Sequence, residues 1–250
     1  MMERLTSRKN ELIRHIRRLG TDRAYRRETG EFVCDGEKLL SEAVRHGAEI
    51  TAALWSDPSE TVNLPGAAQY AVPGELLDYV SPLKSAAGVV FTARIRLQRP
   101  EDTPPGRTIV LETIQDPGNL GTILRTANAL RIDTVILTGD YADPYGPKAV
   151  RAGMGAVFRQ RFFALEREAL RTYLTAHGLR LYGAALSLTA ADVRTLDLRG
   201  AAVAIGSEGR GLSPELRALC DGELIIPMNA DCESLNAAVA AAIIMWELSR

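Results

Sequence analysis

The feature that most limits how this chain can fold is an alternation running through residues 108–226. Short apolar runs at Thr108–Ile114, Thr134–Thr138, Leu179–Ala185, Ala201–Ile205 and Glu223–Ile226 are mostly separated by stretches of helical periodicity. Alternating β and α elements predict an α/β domain with a mostly parallel sheet, covered on both faces. Ligands of such sheets bind outside the carboxyl ends of the strands. The residues that follow each run are therefore where function is sought.

Three of those strand ends carry polar or glycine-rich motifs. After the first run comes Asp116-Pro117-Gly118-Asn119-Leu120-Gly121-Thr122-Ile123-Leu124-Arg125-Thr126-Ala127. Asn119 is expected to cap a helix there, with Leu120, Ile123, Leu124 and Ala127 as its buried stripe. Arg125 projects off that stripe, and its planar, permanently charged fork suits a phosphate. After Ala201–Ile205 comes Gly206-Ser207-Glu208-Gly209-Arg210-Gly211-Leu212. Its glycines permit a close backbone approach to a ligand, but the spacing is neither a P-loop nor a dinucleotide fingerprint. After the last run come Ile226-Pro227-Met228 and Glu233-Ser234-Leu235-Asn236, then an apolar helix, Ala237–Leu248. Ser234 is the expected cap of that helix, and Asn236 is expected in its first turn, where the positive dipole end favours anionic or polar ligands. Taken singly, each motif also reads as an ordinary cap or turn. Gly153 and Gly155 read as close helix packing.

A Pro- and charge-rich seam, Leu97–Arg107, has linker composition. It divides the chain into a first domain, 1–96, a linker, 97–107, and a second domain, 108–250. The first domain reads as a small α/β unit. Ser7 is expected to cap a helix carrying Leu12, Ile13, Ile16 and Leu19, with Gly20 as its stop. Further helices are expected at Gly36–His46, with Val44 inward, and at Pro73–Val80; strands at Glu31–Cys34, Ile50–Trp55 and Gly88–Ala93. Leu12, Leu39, Leu40 and Trp55 are expected in its core.

The net charge of −1 is uninformative, but its distribution is not. Residues 1–30 hold nine basic side chains against four acidic ones. Arg14, Arg17, Arg18, Arg26 and Arg27 are the candidates for binding a polyanion such as RNA; a solvated helix face is the plain alternative. Cys34, Cys220 and Cys232 have no metal-ligand spacing, and His15, His46 and His177 are scattered. No metal site is expected. No apolar run approaches the roughly 20 residues of a membrane helix, and the N-terminus lacks a signal-peptide core. The expectation is a cytoplasmic protein.

The ordered triple D-P-G-N-L-G-T-I-L-R-T-A, G-S-E-G-R-G-L and I-P-M with E-S-L-N-A-A-V-A resembles the SpoU/TrmH family of SPOUT-class RNA 2′-O-ribose methyltransferases across residues 108–250. Arg26–Val33 and Gly36–Leu40 are similar to the ribosomal-protein-like substrate-binding domain of rRNA-modifying members. The resemblance implies a trefoil knot, a homodimer with the active site at its interface, and S-adenosylmethionine as cofactor. It implies cofactor contacts from Gly206, Glu208, Gly209, Ile226, Met228, Ser234 and Leu235, and no metal. It implies catalytic roles for Asn119, Arg125, Glu208, Ser234 and Asn236. Asn119 would orient Arg125, and this pair of one subunit would face Glu208, Ser234 and Asn236 of the other. The implied activity is methyl transfer to a ribose 2′-hydroxyl, of 23S rRNA rather than tRNA; a non-catalytic RNA-binding module is the alternative of another class. One departure is visible: many members have serine where this chain has Gly153. Neither the target nucleotide nor the biological setting follows from the residues.

Overall fold

The computed structural model describes residues 2–250 except Lys84, Thr103, Pro104, Glu208 and Ala230. Two compact units are present. One comprises Met1–Arg96 and Tyr145–Phe158, the other Leu97–Pro144 and Arg159–Arg250.

The first unit holds β1 (Glu3–Arg4), α1 (Glu11–Thr21), α2 (Arg23–Thr29), β2 (Glu31–Asp35), α3 (Glu37–Arg45), β3 (Ile50–Trp55), β4 (Ala68–Ala71), α4 (Gly74–Val80) and β5 (Val89–Arg94). Its sheet is mixed, in the order β1-β4-β3-β5-β2. β5 runs antiparallel to both β2 and β3. Ile13, Ile16 and Leu19 of α1 pack with Leu76, Leu77 and Val80 of α4 in one core cluster. Leu39, Leu40 and Trp55 are buried as expected, whereas Leu12 is only partly so.

Several local expectations are corrected. Asn10, not Ser7, caps α1, because its carboxamide oxygen accepts from the backbone N–H groups of Leu12 and Ile13. α1 passes through Gly20 and ends at Thr21, and Asp22 then starts α2 by accepting from the Tyr25 N–H. Val44 is 48% exposed. The sequence reading missed α2 altogether, since it has no apolar stripe: its single buried residue is Arg26.

The second unit begins with β6 (Thr108–Glu112), α5 (Pro117–Ala129) and β7 (Thr134–Thr138). The chain then contributes Tyr145–Phe158, with helix α6 (Pro147–Gly153), to the first unit. There Tyr145 and Phe158 stack against Phe32, with ring centroids 5.0 and 5.8 Å apart. Gly153 is the buried last residue of α6, and Met154 after it takes a left-handed conformation, φ 47°. The second unit resumes with β8 (Phe162–Ala164), α7 (Arg167–Ala176), β9 (Arg180–Ala184), β10 (Ala191–Asp192), β11 (Ala201–Ile205), α8 (Pro214–Arg217), β12 (Gly222–Ile225) and α9 (Ala237–Leu248).

Its seven strands run in the order β10-β12-β9-β11-β6-β7-β8, and every pairing is parallel. This is the mostly parallel α/β sheet that the alternation predicts. Val110, Ile136, Leu181, Ala202 and Ala204 pack with Leu170 and Leu174 of α7 and Leu216 of α8. α9 lies against β11 and α5. Among the described residues no helix is long and apolar enough to cross a membrane.

Candidate active site

β9, β11 and β12 are sheet neighbours, and their carboxyl ends open into a cavity of about 590 Å³. Ala184–Leu186 line one side and Ile205–Ser207 with Gly209–Leu212 another. Ile226, Met228 and Glu233–Leu235 close the third, with Ala237, Ala240 and Ile244 of α9 behind them. Parallel strands place all these loops at one edge of the sheet, so residues far apart in sequence converge there.

The glycine loop is held to itself. The Ser207 N–H donates to the Gly211 carbonyl at 3.1 Å, and the Gly211 N–H donates back to the Ser207 carbonyl at 2.9 Å. Gly206 lies so close beneath this turn that a Cβ there would stand 2.0 Å from the Gly211 carbonyl carbon. Only glycine fits. At Gly209 a side chain would meet open space.

Of the expected cofactor contacts, Gly206, Gly209, Ile226, Met228, Ser234 and Leu235 all line the cavity. Glu208 lies outside the described residues. Of the other candidate catalytic residues, only Ser234 lines it; Asn119, Arg125 and Asn236 do not.

Two capping expectations are reversed, and the reversal matters for the site. Asp116 caps α5, accepting from the Asn119 N–H at 2.9 Å, with Pro117 in the first turn. The Asn119 side chain is thereby released from capping. Asn236, not Ser234, caps α9: its Oδ1 accepts from the Ala238 and Val239 N–H groups at 2.9 and 3.3 Å. That fixes the amide's orientation, and its Nδ2 donates to Asn119 Oδ1 at 3.1 Å. The first and third motifs therefore meet within a single chain, where the resemblance implied that these two residues face each other across subunits.

Arg125 is exposed and has no hydrogen-bond or ion-pair partner among the described residues, Asn119 included. Six positions apart on a helix, the two side chains point to different sides. The expected orienting contact is not made within the chain.

The sequence reading missed part of the cavity wall. Ala184–Leu186 lie at the carboxyl end of β9, a strand that carries no motif, and its place beside β11 is a tertiary signal. Arg217, another lining residue, bonds Glu223 Oε1 through Nε at 2.7 Å. This bond, then one from Ser187, holds the Glu223 carboxyl below its usual range. Burial pushes the Cys220 thiol up to about 11, with Glu223 and Asp221 adding to the shift. Cys220 is therefore no thiolate nucleophile at neutral pH.

In the first unit, the five candidate arginines differ. Arg14 and Arg27 are exposed and have no partner among the described residues. Arg17 donates to the Tyr79 carbonyl at 2.9 Å and lies over that ring. Arg18 bonds Asp22 and covers the Tyr25 ring. Arg26 is a correction: it is 5% exposed and donates to the Leu19 carbonyl, so its charge is spent inside the fold.

Known proteins settle the lineage. Residues 106–246 match the model of the SpoU rRNA Methylase family. The chain belongs to that family. It is 29% identical over 99% of both chains to the 23S rRNA (guanosine(2553)-2′-O)-methyltransferase RlmP of Bacillus subtilis. It is 30% identical to a 23S rRNA (uridine(2479)-2′-O)-methyltransferase of Streptomyces viridochromogenes, over 99% of this chain and 92% of that one. Among solved structures, an AdoMet-bound rRNA methyltransferase from Sinorhizobium meliloti superposes with a TM-score of 0.89 at 29% identity, over 99% of this chain and 97% of that one.

Proposed function

We propose that this chain transfers a methyl group from S-adenosylmethionine to a ribose 2′-hydroxyl of RNA, with 23S rRNA as the substrate. The observation that carries the reading is the cavity at the ends of β9, β11 and β12, into which the glycine loop and the Ile226–Leu235 segment converge. Its volume of about 590 Å³ lies in the range of small-molecule sites. Apolar Leu224, Leu235 and Ile244 stand beside Ser207, Glu233 and Ser234, a set that suits a nucleoside with a polar tail. The bound cofactor would supply an electrophilic methyl on a sulfonium, which leaves as a neutral thioether.

Gly206 and Gly209 would hold the cofactor through backbone groups, Glu208 would flank it, and Ile226, Met228, Ser234 and Leu235 would enclose it. Arg125 is the residue proposed to face RNA. Its guanidinium keeps its proton, so its role is to bind a substrate phosphate and stabilise charge growing on the 2′-oxygen. Asn236, the cap of α9, and Asn119, which accepts from it, form an amide pair at the start of α9, suited to holding ribose.

The first domain is proposed to bind RNA through Arg14, Arg17, Arg18 and Arg27. Two relatives matched over nearly their whole length and named for a nucleotide act on 23S rRNA, one at guanosine and one at uridine. This favours rRNA over tRNA and the cytoplasm as the place of action, and leaves the base open. A knotted C-terminal chain and a homodimer belong to the same proposal. Supporting the dimer, α9 is apolar at every position but Glu247: Ala241, Ile244, Met245 and Leu248 are buried on one face, while Val239 and Trp246, together on the opposite face, are 49% and 58% exposed. Such a helix needs a second partner, and a second copy would bring another Arg125.

The test is to incubate the protein with methyl-labelled S-adenosylmethionine and unmodified 23S rRNA or tRNA, then map the label. A single 2′-O-methyl nucleotide in 23S rRNA is expected. Label in tRNA alone would move the substrate, and label in neither would favour a binding module.

A further inference from the structure

Glu112 is the last residue of β6, in the interior of the sheet between β11 and β7. It is 2% exposed, and no motif includes it. A buried carboxylate needs partners, and this one has four donors. Its Oε2 accepts from the Ser213 N–H at 2.7 Å. Its Oε1 accepts from the Ser213 hydroxyl at 2.6 Å and from Arg167 Nε and Nη2 at 3.2 and 3.1 Å.

Ser213 is where the glycine loop ends. Its hydroxyl also accepts from the Leu216 N–H, capping α8. The loop thus leaves the sheet at Ile205, folds on itself between Ser207 and Gly211, and is tied back to the sheet by Glu112. On the other side of Glu112 the backbone is strained. Thr113, a β-branched residue, sits at φ 57°, its N–H bonded to the Thr138 carbonyl at 3.0 Å. Gly139 leaves room for it, since a Cβ there would stand 2.5 Å from Thr113 Oγ1. From this turn the chain enters the Asp116 cap of α5. One residue pair, Glu112-Thr113, therefore joins the ends of two motifs.

We infer that Glu112 is a positioning residue for the reaction: through Ser213 it sets the glycine loop at the height that lets the loop hold S-adenosylmethionine. This rests on the function proposed above and extends it to a residue that does not line the cavity. Glu112→Gln keeps the size of the side chain but turns one acceptor into a donor aimed at donors. The loop end is then released while β6 stays in the sheet.

The experiment measures S-adenosylhomocysteine affinity by calorimetry, without RNA, alongside urea unfolding and steady-state kinetics. Folded E112Q is expected to bind at least tenfold more weakly and to raise the cofactor KM more than it lowers kcat. Ser213→Ala is expected to weaken binding several-fold, and Ser213→Thr, which restores the hydroxyl, to recover it. Folded E112Q with wild-type affinity overturns the inference. If E112Q does not fold, the Ser213 pair decides in the same way: S213A at wild-type affinity, or no recovery in S213T, overturns it. Failure of the wild-type protein to bind S-adenosylhomocysteine would instead strike at the proposed function.

Discussion

Arg26 and Arg125 bear the same charge, and each stands in a helix beside a sheet. In α2, Arg26 folds inward and donates to the Leu19 carbonyl. In α5, Arg125 stands in solvent with no partner among the described residues. The contrast extends to their surroundings. Most candidate arginines of the first unit are engaged with Tyr79, Tyr25, Asp22 or backbone. In the second unit the polar motif residues bond chiefly to one another and to helix ends. A basic composition, then, is partly consumed in building the fold that carries it, and an arginine left unpaired at a strand-end motif is the stronger functional signal.

Substitutions can break or sharpen this contrast. Arg125→Ala should lower the methyl-transfer rate by about 100- to 1,000-fold, the usual cost of losing one charge-stabilising donor. Its urea midpoint and S-adenosylhomocysteine affinity should stay put; retained activity in a single-turnover assay would remove Arg125 from the site. Arg26→Ala should do the reverse, costing about 2–3 kcal/mol of stability through an orphaned carbonyl and lost packing. Denaturant titration reads that directly, and a stability change near zero would mean that Arg26 is not structural after all. Gly206→Ala should weaken cofactor binding by at least about tenfold, or about 1.4 kcal/mol, because the added carbon collides with the Gly211 backbone.

Smaller effects test the margins. Thr113→Gly should raise stability by about 1 kcal/mol, since the left-handed conformation costs a β-branched residue about that much; a lower unfolding midpoint would show that the Thr113 side chain repays its strain. Finally, removing Arg14 or Arg27 should change stability by less than about 0.5 kcal/mol. If each contacts a phosphate, the slope of log affinity against log salt should drop by about 0.7 per arginine on single-stranded RNA. An unchanged slope would reduce these charges to solvation.

The sequence made β7 and β11 legible to the residue, because each is a short apolar run buried throughout. The stripe of α5 was equally plain, with Leu120, Ile123, Leu124 and Ala127 all buried. β8 and β10 escaped because three and two residues carry no period. α2 escaped because its buried residue is an arginine. The caps were misjudged by two or three positions at α1, α5 and α9 for one reason: several residues able to cap precede each helix, and only the backbone path selects among them.

Sequence alone thus determined the parallel α/β plan and the three strand-end motifs, since hydrophobic period and glycine placement are local properties. Tertiary structure alone decided which motif residues meet. Asn236 reaches Asn119 across 117 positions, and Glu112 reaches Ser213 across 101. Neither contact leaves a local trace, because strand order, not chain order, makes those residues neighbours. The same packing decided which arginine is buried and which is left facing solvent.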